Sequence, residues 1–399
     1  MHPLYQSMPV SVFERMSLAA ARHGAVNLGQ GFPDFGWPPE ILDHAARALT
    51  DGSNQYAPSR GLPALRQAVA DHYARHHGWD VGADGICVTS GATEALAAAI
   101  FAVVEPGDEV IVLTPAYDAY APLIRRAGGA VVEVPLDPPH WRIDRAALEA
   151  AITLRTRAIV LNNPQNPTGR LFDPEELNAV AAAAEAHDLI VIADEVWEHL
   201  LLAPPPSGAV ASRSDDGGAE AFTPFATLPN MAARTIKTGS AGKIFSLTGW
   251  KIGWIAAAPK LAALAAKAHQ FLTFTSAPNL QAACAFGLAE GDCWLAPMRA
   301  SFTRARDRMT AGLEAAGFAV LPSAATYFLI VDLAASGIAL DDEAFAKLAV
   351  EQAGVAVVPV SAFSDSGEPR HFVRLCFAKQ DPTIDQGVAA MAKARALAC

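Results

Sequence analysis

Five short polar stretches in this 399-residue chain follow directly on apolar runs, and their residue types are those that bind anions, pack against flat rings or act as nucleophiles. Ile86-Cys87-Val88 leads into Thr89-Ser90-Gly91-Ala92-Thr93 at the head of a helical pattern. Free backbone N–H groups at a helix N-terminus make a phosphate cradle there, although a plain strand-to-helix turn capped by Thr or Ser has the same composition. A second run delivers Thr114-Pro115-Ala116-Tyr117-Asp118-Ala119-Tyr120, whose rings either stack on a planar ligand or fill a core. Asn162-Asn163-Pro164-Gln165-Asn166-Pro167-Thr168-Gly169 is richer in amides than a rigid turn requires. Asp194-Glu195 closes the run Leu189-Ile190-Val191-Ile192-Ala193, where a carboxylate has no room to stay unpaired and needs a cationic partner. The fifth stretch, Ser240-Ala241-Gly242-Lys243, continues to Ser246, Thr248, Gly249, Trp250 and Lys251, and Lys243 beside Ile244-Phe245 sits in a more apolar setting than a surface lysine prefers.

Open parallel sheets bind ligands beyond the carboxyl ends of their strands, so the five stretches belong to one site if the runs before them are neighbouring strands. A phosphate cradle, an aromatic platform, an amide, a buried carboxylate and a loop lysine are what is needed to hold pyridoxal phosphate and form a Schiff base with it.

The elements that must position these residues can be read from the pattern. From about residue 85 the sequence alternates short β-rich runs over 86–88, 109–113, 158–161, 189–193, 235–237 and 252–256 with helical stretches such as 94–104 and 174–186, which reads as an α/β domain with a largely parallel sheet. Asp173 before Pro174 marks a helix start. Beyond about residue 285, long helices over 294–317 and 342–354 mix with strands over 327–331 and 372–377, as in a smaller α+β domain. The expected division is a large domain over 46–284 and a small one built from 1–45 and 285–399. Residues 203–218, with Pro204-Pro205-Pro206 and Asp215-Asp216-Gly217-Gly218, read as a surface loop without chemistry.

Composition removes other classes. Thirty basic against 41 acidic residues give a net charge of −11 without any Lys/Arg tract, which argues against nucleic-acid binding. Hydrophobic residues reach 52%, yet the apolar runs, such as 95–104, stop at about ten residues, short of the roughly 20 that a spanning helix needs, so no membrane association is expected. The N-terminus lacks a basic stretch followed by an apolar one, and the cytoplasm is the expected compartment. Cys87, Cys284, Cys293, Cys376 and Cys399 are odd in number and without CxxC spacing, unlike a disulfide framework or a zinc site, and no metal is expected.

Along nearly its whole length the chain resembles the class I/II aminotransferases that depend on pyridoxal 5′-phosphate (PLP), in particular the branch with kynurenine, glutamine and methionine aminotransferases and the N-succinyldiaminopimelate aminotransferases. The resemblance rests on NLGQGFPDF from Asn27, NQYAPSRGLPAL from Asn54, SGATEAL from Ser90, NNPQNPTG from Asn162, ADEVWEHL from Ala193, SAGKIFSLTGWKIGW from Ser240 and VRLCFAK from Val373, in this order. It implies the PLP-dependent transferase fold of type I, an α/β fold with a mainly parallel sheet flanked by helices in the large domain plus a small α+β domain. Lys243 would then form the Schiff base and shuttle the proton between substrate and cofactor, and Asp194 would keep the pyridine nitrogen protonated. A lysine with a pKa of about 10.4 is neutral in only roughly one molecule in a few thousand at pH 7, so the site must lower its proton affinity. The phosphate would lie on Gly91, Ala92, Thr93, Ser240 and Lys251, with Tyr56 reaching in from the second subunit of a homodimer. Tyr117 would stack on the ring and Asn166 would donate to the 3′ oxygen. Arg374, with Asn166 and Gly31, would hold the substrate α-carboxylate, its planar fork suiting a bidentate bond. At Trp197 the chain departs from its relatives, which usually carry a tyrosine bonded to the 3′ oxygen; an indole has a single N–H to offer there.

No second arginine stands at a motif position, the segment Phe274-Thr275-Ser276 is neutral, and Trp37 lies near the expected entrance. The expected reaction therefore moves the amino group of a neutral or aromatic L-amino acid, glutamine-, methionine- or kynurenine-like, to a 2-oxo acid. N-succinyldiaminopimelate transamination and cysteine-S-conjugate β-lysis are the alternatives, and a non-enzymatic PLP-binding regulator is a third, for which no room for a DNA-binding domain is evident.

Overall fold

The computed structural model describes residues 3–202, 222–290 and 293–399; the loop read over 203–218 lies outside the described residues. Local signals set many of the element boundaries. Proline opens the helices Pro39–Asp51, Pro63–His77, Pro174–Ala186, Pro259–Leu272 and Pro278–Ala289, where its fixed φ is preorganised and its missing N–H costs nothing. Asp173 caps Pro174–Ala186 in a reciprocal box: its carboxylate accepts from the Glu176 backbone N–H at 2.9 Å, while the Glu176 carboxylate accepts from the Asp173 N–H at 3.0 Å.

In chain order the strands are β1 (Val26–Asn27), β2 (Ile86–Thr89), β3 (Glu109–Thr114), β4 (Ala130–Pro135), β5 (Thr156–Asn162), β6 (Ile190–Asp194), β7 (Thr235–Ser240), β8 (Gly253–Ala257), β9 (Ala319–Val320), β10 (Phe328–Asp332), β11 (Val355–Ala356), β12 (Val358–Pro359) and β13 (Phe372–Cys376). A seven-stranded sheet runs β2-β8-β7-β6-β5-β3-β4, in which only β8 is reversed. Strands β2, β3 and β8 are buried on both faces, so their sequences carry little of the polar alternation of a half-exposed strand. Edge strand β4 is half exposed, which explains why it does not stand out as an apolar run.

A second, antiparallel sheet has the order β12-β13-β10-β9, and β1 pairs in parallel with β11, joining the N-terminal segment to the C-terminal part of the chain. The helix expected over 342–354 is two structures: an α-helix Asp342–Leu348 and a π-turn Ala349–Ala353, closed by Gly354 at φ 89° with its N–H on Ala349 O at 2.9 Å. Strands β2, β3, β5, β6 and β7 run the same way, so all five polar stretches leave the sheet at one edge, beneath the second sheet. Among the described residues no helix is long and apolar enough to cross a membrane, and no cluster of His, Cys, Asp or Glu could hold a metal ion. All five cysteines are free thiols.

Candidate active site

At this edge lies a cavity of about 310 Å³, and the residues of its floor suit an anion. The helix Gly91–Val103 starts without a cap from the Ser90 side chain, although Glu94 Oε2 accepts from Ser90 N at 2.5 Å, and Gly91, Ala92 and Thr93 line the cavity. An uncapped helix N-terminus favours negative charge. Close approach here requires glycine: Gly91 has φ 77° and an added Cβ would lie 3.1 Å from Lys251 Nζ, while one on Gly253 would meet Gly91 C at 2.6 Å and Ala92 N at 2.7 Å. Lys251, itself left-handed at φ 55°, and Ser240 complete the cradle. Holding a lysine in that conformation costs about 1 kcal/mol or more, a local strain of the kind that collects at functional sites.

Asp194 stands at the cavity wall, 4% exposed. Tyr120 Oη donates to its Oδ2 at 2.5 Å and Thr238 Oγ1 to its Oδ1 at 3.1 Å. Burial pushes its carboxyl above the usual range, with these two hydrogen bonds acting against it. A carboxylate held this way gains most from a cation placed before it. The cationic partner expected for Asp194-Glu195 is found, but on Glu195: Lys237 Nζ lies 2.6 Å from Glu195 Oε2 and 2.9 Å from Glu198 Oε2. The amide stretch anchors the same wall. Asn162 Nδ2 donates to Asp194 O at 2.8 Å and its Oδ1 accepts from Asn166 N at 2.8 Å. Tyr117 lines the cavity and packs edge-on to Tyr120, with ring centroids 5.7 Å apart.

Lys243 projects from the short helix Ala241–Ile244 with Nζ 4.3 Å from the Trp197 ring centroid. Desolvation, with Arg374 and Lys251 adding to it, pulls its pKa down to about 8, while Cys376 and Asp194 act in the opposite sense. At that value about a tenth of the molecules carry a neutral amine at pH 7, roughly two-hundredfold more than for a free lysine. Arg374, on β13, is 1% exposed and lies between rings, its Cζ 3.9 Å from the Phe328 centroid and 5.0 Å from those of Phe13 and Phe363. Its Nη1 donates to Asn166 Oδ1 at 2.9 Å and its Nη2 to Gly29 O at 2.8 Å, but the buried Nε has no partner. An orphaned guanidinium N–H costs about 1–3 kcal/mol, which an incoming carboxylate would recover.

Every residue expected at the site lines this cavity except Tyr56, which is 85% exposed and packs edge-on against Phe274 with centroids 5.6 Å apart. Sequence reasoning missed Tyr327, whose hydroxyl lies 2.6 Å from Lys243 Nζ, and gave Tyr120 and Thr238 no role at Asp194.

A mainly parallel sheet with a lysine, a carboxylate and an anion cradle at the carboxyl ends of its strands is the PLP-dependent transferase fold of type I. Residues 24–391 match the model of aminotransferase class I and II, and the chain belongs to that family. It is similar in structure to the N-succinyldiaminopimelate aminotransferase from Mycobacterium tuberculosis, with a TM-score of 0.91 and 41% identity, covering 99% of this chain and 100% of that one. It is 38% identical to the methionine aminotransferase of Escherichia coli, over 94% of this chain and 93% of the relative, and 33% identical to kynurenine–oxoglutarate transaminase 3 of Mus musculus, over 95% and 87%. The protein is thus an aminotransferase, and its cofactor is PLP. The glycine-bounded cradle, the uncapped helix and the partly neutral lysine fit a phosphorylated aldehyde.

Proposed function

We propose that the enzyme transfers the amino group of an L-amino acid with a neutral or aromatic side chain to a 2-oxo acid, as a cytoplasmic homodimer. The observation that carries this reading is the count of cations on the cavity wall. Among the described residues these are Lys243, Lys251 and Arg374, and each has a task in the chemistry, so none remains for a distal carboxylate. Phe13, Phe32, Trp197, Phe328 and Gln30 make up much of the rest of the wall near Arg374.

Gly91, Ala92, Thr93, Ser240 and Lys251 would hold the PLP phosphate, Asp194 the pyridine nitrogen, and Tyr117 and Asn166 the ring and its 3′ oxygen; Trp197 would contact the cofactor with its indole. Bound PLP supplies an aldehyde for covalent capture of the amine and a ring that accepts the electrons of the breaking Cα–H bond. Arg374 and Asn166 orient the α-carboxylate at the Gly31 end of the cavity. Lys243 Nζ, when not covalently engaged, would serve as the base that takes up the substrate α-proton and as the acid that gives it back. Support for a homodimer comes from Tyr56, Phe271 and Phe274, large aromatic side chains exposed on one face; in a dimer Tyr56 would reach the partner's phosphate.

A matrix of amino donors against oxo acids, with glutamine, methionine, kynurenine, aromatic amino acids, glutamate and N-succinyldiaminopimelate, tests the reading. Highest kcat/KM with neutral or aromatic donors is expected; a strong preference for glutamate or N-succinyldiaminopimelate would replace it, and the 41% identity to the Mycobacterium tuberculosis structure makes the latter the second reading. Arg374→Lys keeps the charge but loses the fork, and kcat/KM should fall roughly 10–100-fold for every donor alike, the equivalent of one charge-assisted hydrogen bond. A loss confined to one donor would show that Arg374 reads the side chain instead.

A further inference from the structure

Tyr327 precedes β10 in the second sheet and is 1% exposed. Its hydroxyl has one proton, and the carbonyl of Gly31, 2.6 Å away, can only accept it. Toward Lys243 Nζ, also at 2.6 Å, the same oxygen must therefore act as acceptor, so the amine donates to it. Among the described residues this is the one hydrogen bond Nζ makes, and Trp197, whose ring faces Nζ, makes none with its indole N–H. The tyrosine ring cannot drift: it meets Trp197 edge-on at 4.5 Å and 89°, and Phe328 at 4.9 Å. The Gly31 carbonyl is equally fixed, since Gly29 O is bound by Arg374 and Phe32 O by Lys379 at 2.9 Å, and a Cβ on Gly31 would lie 2.6 Å from Phe328 Cζ.

We propose that Tyr327 is a positioning residue for Lys243: it accepts a hydrogen bond from the free amine, aims Nζ by a hydroxyl that is itself locked to the N-terminal segment, and thereby sets how readily that amine takes up a proton. The role of the amine in turnover rests on the aminotransferase reading; the hydrogen bond and its effect on proton affinity do not. Tyr327→Phe removes the one side-chain acceptor that Nζ has among the described residues and leaves the Trp197 ring face on that side, so the ammonium form loses a partner and its proton affinity falls. The same change leaves both hydrogen bonds of Arg374 in place.

The test measures trace acetylation of Lys243 against pH in the full-length chain freed of cofactor, read by mass spectrometry on the peptide containing Lys243. The parent should inflect near pH 8, and Tyr327→Phe lower by about one unit, on the scale of a lost hydrogen bond to a charged group. In the holoenzyme kcat should fall roughly 10–100-fold, as for a misaimed reacting group, with KM for the donor within about threefold. An unchanged inflection overturns the proposal, as does a KM effect without a kcat effect. If Tyr327→Phe fails to fold, 3-fluorotyrosine at 327 keeps the shape and weakens the acceptor; a smaller downward shift supports the proposal and no shift overturns it. A parent that transaminates no donor would sink the functional reading while the acetylation profile still decides the role of Tyr327.

Discussion

Lys243→Ala should give a folded protein that never carries covalently bound PLP and whose turnover falls by about four orders of magnitude or more. The first part follows from position: Lys243 carries an amine whose pKa is brought down to about 8, Arg374 is no amine, Lys251 packs over Gly91, and only a neutral amine attacks an aldehyde. The second follows from its reach, because no other described group on the wall offers a base free to accept the α-proton. Asp194 is bound by Tyr120 and Thr238, and Lys251 is held over Gly91. General acid–base catalysis is worth roughly 10²–10⁴-fold, and loss of the covalent link adds to it. Borohydride reduction followed by intact mass measurement should add one phosphopyridoxyl group to the parent and none to the variant. The fold should survive, because the parent buries this lysine at a cost. With its folded pKa below the unfolded value, the parent carries the full penalty below pH 8 and sheds it as pH rises toward the unfolded pKa of about 10.4. Cofactor-free Lys243→Ala should therefore compare best with the parent at pH 7 and worst near pH 10. A variant that still forms the reducible link, or transaminates at the parent's rate, refutes the assignment.

Much of this site is legible in the sequence because its residues lie within a few positions of strand ends. Knowing only that β2, β3, β5, β6 and β7 are parallel brings Thr93, Tyr117, Asn166, Asp194 and Lys243 to one edge. What cannot be read locally depends on contacts between distant elements. Tyr327 meets Lys243 across 84 residues, because the strand it precedes belongs to another sheet. Tyr120 meets Asp194 across 74, and its stretch gives no sign that Tyr117 faces the cavity while Tyr120 turns behind it. The cationic partner shows the limit of a correct physical demand. A strand end that releases two acidic residues needs a cation, but successive side chains leave a strand on opposite sides, so the demand does not say which carboxylate receives it. Tyr56 is a different case, since its expected role needs a second copy of the chain.

Lys237→Met should destabilise the protein by about 3–5 kcal/mol while leaving the hydrogen bonds of the groups that line the cavity in place, its one reach into the cavity being a through-space pull that lowers the Asp194 pKa. Lys237 on β7 is fully buried, as are the two carboxylates it joins, Glu195 and Glu198. Both have fixed positions besides: Glu195 Oε1 accepts from Phe225 N at 2.7 Å, and Glu198 accepts from Tyr73 Oη at 3.3 Å with His77 Nε2 at 3.1 Å. The lysine holds Glu198 well below the usual carboxylate range against the effect of burial, and restrains the rise that burial imposes on Glu195. Methionine fills similar volume, so the loss is the uncompensated charge and not a cavity. Without the cation both carboxyls move above their unfolded values near 4.3, and the folded state then binds more protons than the unfolded one. Stability consequently falls as pH rises from the unfolded to the raised folded values, and the deficit against the parent should widen between pH 5 and pH 8. Adding Glu195→Gln and Glu198→Gln to Lys237→Met should recover most of it, since neutral amides need no cation. Thermal melts of the three proteins at both pH values measure this, and a Lys237→Met melt matching the parent at pH 8 would show that water or His77 already satisfies the pair. The consequence for catalysis is indirect. Ala193 pairs with Lys237 and Asp194 with Thr238 along β6 and β7, so the ion cluster anchors the strand end that carries Asp194. Preparations of Lys237→Met that stay folded at low temperature should keep kcat within about threefold of the parent, because Tyr120 and Thr238 still hold Asp194.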